Sequence, residues 1–263
     1  MQPYGPCKTF AGAISKTASP GEIDCLDSGG FGALTITKSI TIDCQAGLGS
    51  ALSSGTQGIV INALSTDVVT LRNLAVQGAG TTIGTNGINI ISAKAVHLEN
   101  VKINNYSSAG LVVGTSATVE VTLENVSIGD SQAGVVVSAS SGTASVAMHH
   151  VNIANIVTDG IRANGNSSIV VRDSEISHYA VGVNETASGL LSLVLITGST
   201  VTTTTTAAFQ SINGGYIGVG SNTLSYNLSV CNLNGGLIYT DGNNIGWSNN
   251  TIGTTSAGTI PKV

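Results

Sequence analysis

One six-residue phrase recurs through the middle of the chain and limits what it can fold into. Its variants are Leu71-Arg72-Asn73-Leu74-Ala75-Val76, Leu98-Glu99-Asn100-Val101-Lys102-Ile103, Leu123-Glu124-Asn125-Val126-Ser127-Ile128, Met148-His149-His150-Val151-Asn152-Ile153 and Val171-Arg172-Asp173-Ser174-Glu175-Ile176. From Asn73 to Asn100, Asn125, His150 and Asp173 the steps are 27, 25, 25 and 23 residues. A period in this range is the mark of a solenoid, in which each repeat buries its apolar face only against its neighbours. A second strand opens each time at a glycine: Gly58, Gly87, Gly110, Gly134, Gly160 and Gly182. Each coil therefore holds three short strands.

Alternation along a strand sends Val96, Leu98, Val101, Ile103, Leu111 and Val113 inward and Glu99 and Lys102 outward. Leu98 and Val101 can both point inward only if the chain bends between them. Asn tolerates left-handed backbone and can hydrogen-bond to an identical neighbour, so Asn73, Asn100 and Asn125 are expected to form a structural ladder at this corner. His150 and Asp173 interrupt it, and a looser bend is expected there. Composition agrees with stacked strands. Charged residues are 9% of the chain, against about 25% on average, and Gly, Ser, Thr, Asn, Val and Ile prevail over the good helix formers.

Residues 8–18 place Phe10, Ala13, Ile14 and Ala18 at helical spacing before Ser19-Pro20-Gly21, and read as a helix capping the open end of the solenoid. Strands follow at Glu22–Leu26, Leu34–Thr37 and Ile40–Ile42. This opening of capping helix, Ser-Pro-Gly-Glu-Ile, Gly-rich turn and Leu34-Thr-Ile-Thr-Lys-Ser-Ile-Thr-Ile42 resembles that of right-handed parallel β-helix proteins of the pectin lyase-like superfamily. The resemblance covers about the first 44 residues in motif and the remainder in repeat pattern. It implies an all-β, single-stranded, right-handed parallel β-helix of three parallel sheets, with about nine or ten coils. The chain is read as one domain, 1–263: helix at 8–18, coils over 22–252 and a tail at 253–263, with Trp247 sealing the far end.

The superfamily contains lyases, hydrolases, esterases, epimerases and adhesins, so the resemblance implies a fold more than an activity. In its polysaccharide-cleaving members, catalytic or calcium-binding groups stand on the glycine-led strand. The matching outward row here is Val60, Asn89, Val112, Val136, Arg162 and Asn184, which carries no carboxylate and is read as an interaction face; Asp159 and Asp130 lie in the preceding turns. The row before each corner is Arg72, Glu99, Glu124, His149 and Arg172. Strands of successive coils lie about 4.8 Å apart, and two carboxyls about 5 Å apart suit a retaining glycosidase. If the chain is an enzyme, Glu99, Glu124 and His149 are its catalytic residues; otherwise they form a surface salt ladder.

No catalytic signature arises elsewhere. The favoured reading is a non-catalytic scaffold binding a glycan or protein partner, and the alternative is a carbohydrate-active enzyme acting on an acidic or neutral glycan. A net charge of −5 with nine scattered Lys and Arg offers no basic stripe for nucleic acid, and no apolar run is long enough to insert in a membrane. No cofactor is expected. His97, His149, His150 and His178 are not expected to share one face, so no metal site is foreseen. Cys7, Cys25, Cys44 and Cys231 are read as buried small apolar residues, or else with Cys7 and Cys25 forming a disulfide. Met1-Gln2-Pro3 does not look like a signal peptide, and the chain is read as the mature form of an extracellular or cell-surface protein. The sequence leaves the oligomeric state open.

Overall fold

A computed structural model of the chain describes residues 5–45, 49–186 and 191–253. The expected tail, beyond residue 253, and the start of the chain lie outside the described residues. The fold is a parallel β-solenoid of about nine turns with a short N-terminal helix.

Three faces run the length of the solenoid. The first is built from Gly21–Asp24, Ile40–Asp43, Val68–Arg72, Ala95–Glu99 and Val119–Glu124, continues through residues 144–149 and 167–172, and ends with Ser192–Thr197, Tyr216–Gly220 and Leu237–Thr240. The second face carries Leu74–Gly78, Asn152–Ile156 and their equivalents, and the third carries Ile59–Asn62, Gly84–Ser92 and theirs. Some strands pass the corners unbroken, the longest being Ser127–His149.

The register follows the recurring phrase. Leu71, Leu98, Leu123, Met148 and Val171 stack one above another, and each is at most 1% exposed. Val96, Leu98, Val101, Ile103, Leu111 and Val113 are all wholly buried, while Lys102 is exposed and Glu99 half-buried. The corner that sends both Leu98 and Val101 inward is one left-handed residue: φ is 52° at Asn73, 54° at Asn100 and 54° at Asn125. His150 and Asp173 keep the same conformation, at 52° and 49°. The looser bend appears only in the rung hydrogen bonds, which lengthen from 3.0 Å at the Asn73 and Asn100 amides to 3.4 Å at His150. Asn73 Nδ2 donates to Asp43 Oδ1 at 2.8 Å, and Asn100 Nδ2 to Asn73 Oδ1 at 3.1 Å.

A second column of left-handed residues turns the next corner: Asn105, Asp130, Asn155, His178, Thr203, Tyr226 and Ser248. The leading glycines sit where neighbouring coils nearly touch. A Cβ on Gly58 would stand 2.6 Å from the Gly87 carbonyl oxygen, and one on Gly160 2.8 Å from that of Gly182.

The core changes character along the axis. The inward position after the first corner is Leu74, Val101, Val126 and Val151, then Ser174, Ser199, Asn222 and Asn244. From Val151 onward each amide donates to the next side chain in the column, and Asn222 Nδ2 also donates to Asn244 Oδ1 at 3.0 Å. A parallel stack joins Thr204, Asn227 and Asn249 at the second corner. Buried amides are costly unless paired, and these are paired from coil to coil.

The capping helix spans Phe10–Lys16, shorter than 8–18, with Thr9 as its N-cap. Phe10 is buried and meets Phe31 edge-on at 5.2 Å between ring centroids. The disulfide joins Cys25 to Cys44, which corrects the Cys7–Cys25 pairing. Cys25 and Cys44 follow strands paired Asp24 to Asp43, so they are rung neighbours, whereas Cys7 lies outside the coils as a free thiol. Cys231 is free and buried. At the far end Trp247 leans on Tyr226 and lines a hollow with Phe209, Leu224 and Val230, yet remains 56% exposed, so it rims the end instead of sealing it.

Candidate functional site on the solenoid wall

The corner row is a continuous line of charge. Glu99 pairs in register with Arg72 on one side and Glu124 on the other, and Glu124 with His149. The carboxylates do not face each other as a reacting pair. Arg72 Nε holds Glu99 Oε2 at 2.8 Å, and Glu124 turns toward the later coils, with His149 Nδ1 2.9 Å and His150 Nδ1 3.1 Å from its two oxygens. His149 Nε2 lies 3.2 Å from Asp173 Oδ2. Hydrogen bonds from His149 and then His150 hold the Glu124 carboxyl below its ordinary range. Its bond to Glu124, followed by the influence of Asp173, raises His149.

A retaining glycosidase needs one carboxyl raised so that it can hold a proton near neutral pH. Glu124 is shifted the opposite way. From Asn73 to Asp173 the corner beside the row is a single left-handed residue in each coil.

The expectation that the histidines are scattered fails at His149 and His150. Successive residues of a flat strand point to opposite sides, but the left-handed turn at His150 brings both rings out together, with centroids 3.8 Å apart. Glu124, His149 and His150 each offer a ligand atom within 4.8 Å of the others. His97 stands apart, 2.7 Å from Thr122 Oγ1, and His178 belongs to the second corner.

On the third face, Val60, Asn89, Val112, Val136, Arg162 and Asn184 fall in one register column, each half-buried. Arg162 is not free to meet a ligand. Its Nε donates to the buried Asp159 at 2.6 Å, its Nη2 also pairs with Asp159, and Asn184 Nδ2 donates to the other Asp159 oxygen at 3.0 Å.

The first face carries a feature that sequence reading missed. Its central outward column is Thr70, His97 and Thr122, then Ala147, Val170 and Leu195, then Gly218 and Tyr239. The adjoining column runs Ser145, Ser168, Leu193, Tyr216 and Leu237. A polar wall thus becomes apolar toward the later coils, where Leu193 is 45% exposed. The Tyr216 and Tyr239 rings lie 6° from parallel with centroids 6.4 Å apart. The signal is Leu193-Val194-Leu195 and two tyrosines a coil apart, meaningful only once the register is known.

No protein-family model matches the chain, and no curated protein matches it. Among solved structures it is similar to the crystal structure of pectate lyase Pel9A, with a TM-score of 0.63 and 15% identity over 93% of this chain and 73% of that one. No helix among the described residues is long and apolar enough to cross a membrane. With its parallel faces, glycine-led strands and capping helix, the chain has the pectin lyase-like parallel β-helix fold.

Proposed function

We propose that this chain is a non-catalytic, extracellular carbohydrate-binding β-helix that holds an extended glycan along its first face, at Val170, Leu193, Leu195, Tyr216 and Tyr239. The observation that carries this reading is the passage of that face from threonine to leucine and tyrosine, ending in two near-parallel rings. Aromatic rings offer a flat apolar surface with a polar handle, which suits the C–H face of a sugar ring, while Ser145, Ser168 and Thr197 around the patch suit its hydroxyls. Among the described residues the patch is an open wall of stacked strands, which suits an extended polymer better than a small molecule. In this reading Asn73, Asn100 and Asn125 are a structural ladder, and Glu99, Glu124 and His149 are charges on the wall, not a catalytic set. The Cys25–Cys44 disulfide supports an oxidising compartment. The pectate lyase fold agrees with a carbohydrate ligand by analogy alone.

Affinity electrophoresis through gels containing pectin, arabinoxylan, β-glucan or alginate tests the reading, alongside assays for reducing ends and unsaturated products. We expect retardation by at least one polysaccharide, lost in Tyr216→Ala and Tyr239→Ala, with no product released. Product formation that disappears in Glu124→Gln would replace the binding module with an enzyme. A dimer in solution dispersed by the two tyrosine substitutions would replace the glycan with a second copy of the chain.

A further inference from the structure

We propose that Glu124, His149 and His150 form a binding site for a divalent transition-metal cation, with zinc as its representative. Two imidazoles and a carboxylate are a donor set for zinc, copper, nickel or iron and not for calcium or magnesium, which take oxygen ligands. The ligand atoms already converge, Glu124 to His149 Nδ1 at 2.9 Å and to His150 Nδ1 at 3.1 Å, with the group of three spanning no more than 4.8 Å. A cation entering among them would take the place of these two short contacts.

Two further features distinguish this cluster from a chance meeting of surface side chains. The first is Asp173, one coil further on, whose carboxylate lies 3.2 Å from the far nitrogen of His149. With Nδ1 on the metal, His149 Nε2–H would donate to Asp173, the carboxylate–histidine arrangement that orients metal-bound imidazoles. The second is the backbone. Glu124 and His149 are locked in register by the rung hydrogen bonds, and the left-handed turn at His150, φ 52°, aims its ring to the same side as His149. All three side chains are close to half-exposed, so a cation enters without opening the fold. Three protein ligands leave a position for water or for an oxygen of a bound molecule. This inference is independent of the glycan reading, because the cluster lies at the edge of the polar half of the first face.

The test uses the tag-free, metal-stripped full chain titrated with zinc chloride by calorimetry, and with cobalt(II) by visible absorption. We expect one saturable site per chain and cobalt bands of ordered low coordination. His149→Ala and His150→Ala should each weaken zinc by about tenfold or more, and Asp173→Asn by about 10–100-fold with one site per chain retained. Glu99→Gln, in the same row but outside the cluster, should bind as the parent does. Circular dichroism of each variant establishes that the solenoid is intact. Absence of saturable uptake by the parent chain would overturn the proposal, as would uptake unchanged in the His149→Ala/His150→Ala double variant.

Discussion

Replacing Leu98 with alanine should destabilise the protein far more than replacing its neighbour Glu99, and the structure fixes the size of the difference. Leu98 is wholly buried, stacked between Leu71 and Leu123, which are 0% and 1% exposed. Removing three carbons leaves a void whose floor and ceiling are strands held about 4.8 Å apart by rung hydrogen bonds. Such a site cannot collapse, which places the cost in the upper part of the Leu→Ala range, about 3–5 kcal/mol. Glu99→Ala removes one ion pair with Arg72 in which both side chains are more than 40% exposed, a contribution of at most about 1 kcal/mol. At about 2–4 °C per kcal/mol for a chain of this size, thermal melts should fall by about 6–20 °C for Leu98→Ala and by about 4 °C or less for Glu99→Ala. Equal losses for the two variants, or a Leu98→Ala melt within about 2 °C of the parent, would refute the inward and outward assignment.

Other substitutions probe other parts of the wall. Asn100→Val forces a β-branched residue to the φ of 54° and should cost about 1–3 kcal/mol in urea unfolding, whereas Asn100→Gly should stay near neutral. Arg162→Ala strands the buried Asp159 carboxylate and should cost about 3–5 kcal/mol, with Asp159→Asn/Arg162→Ala recovering part of the loss by chemical denaturation. Thiol titration at pH 8 should find Cys7 alone in the folded protein. Burial pushes the Cys231 thiol up to about 11, so it should react only after unfolding, and Cys25 and Cys44 only after reduction. Cys25→Ser opens a link across 19 residues of sequence and should lower stability by about 3 kcal/mol; an unchanged melt would deny the bond.

The coils were legible because two constraints act on the same residues. A strand period of two and a left-handed corner together force Leu98 and Val101 inward, and no other arrangement buries both. What stayed hidden depends on register between coils distant in sequence. Cys25 and Cys44 are partners because Gly21 pairs with Ile40, an offset set by the first turn and not by the later repeat, so the sequence alone points to Cys7 instead of Cys44. The second corner column was present as Asn105, Asp130 and Asn155, each five residues after a first-corner residue, but Gly129 and Ala154 before it masked the pattern. The sequence places His149 on the outward row and His150 at the bend, but that the left-handed turn at His150 aims both rings to one side needs the backbone itself. The leucine-to-tyrosine wall needed three consecutive registers to assemble from residues scattered over 70 positions.

The passage of the inner column from Val151 through Ser174 and Ser199 to Asn222 and Asn244 bears on how a chain of near-identical coils avoids threading itself wrongly. Valine on valine holds any coil against any other with almost equal strength, so this inner column gives the early turns no address. An asparagine amide that must meet both a backbone carbonyl and the oxygen of the next asparagine accepts one neighbour only. The late turns therefore act as the lock on a stack whose early turns supply most of the apolar burial. A coil inserted before Leu123 should be absorbed as one more valine layer. The same insertion between Asn222 and Asn244 should leave an amide without its mate and loosen everything beyond it.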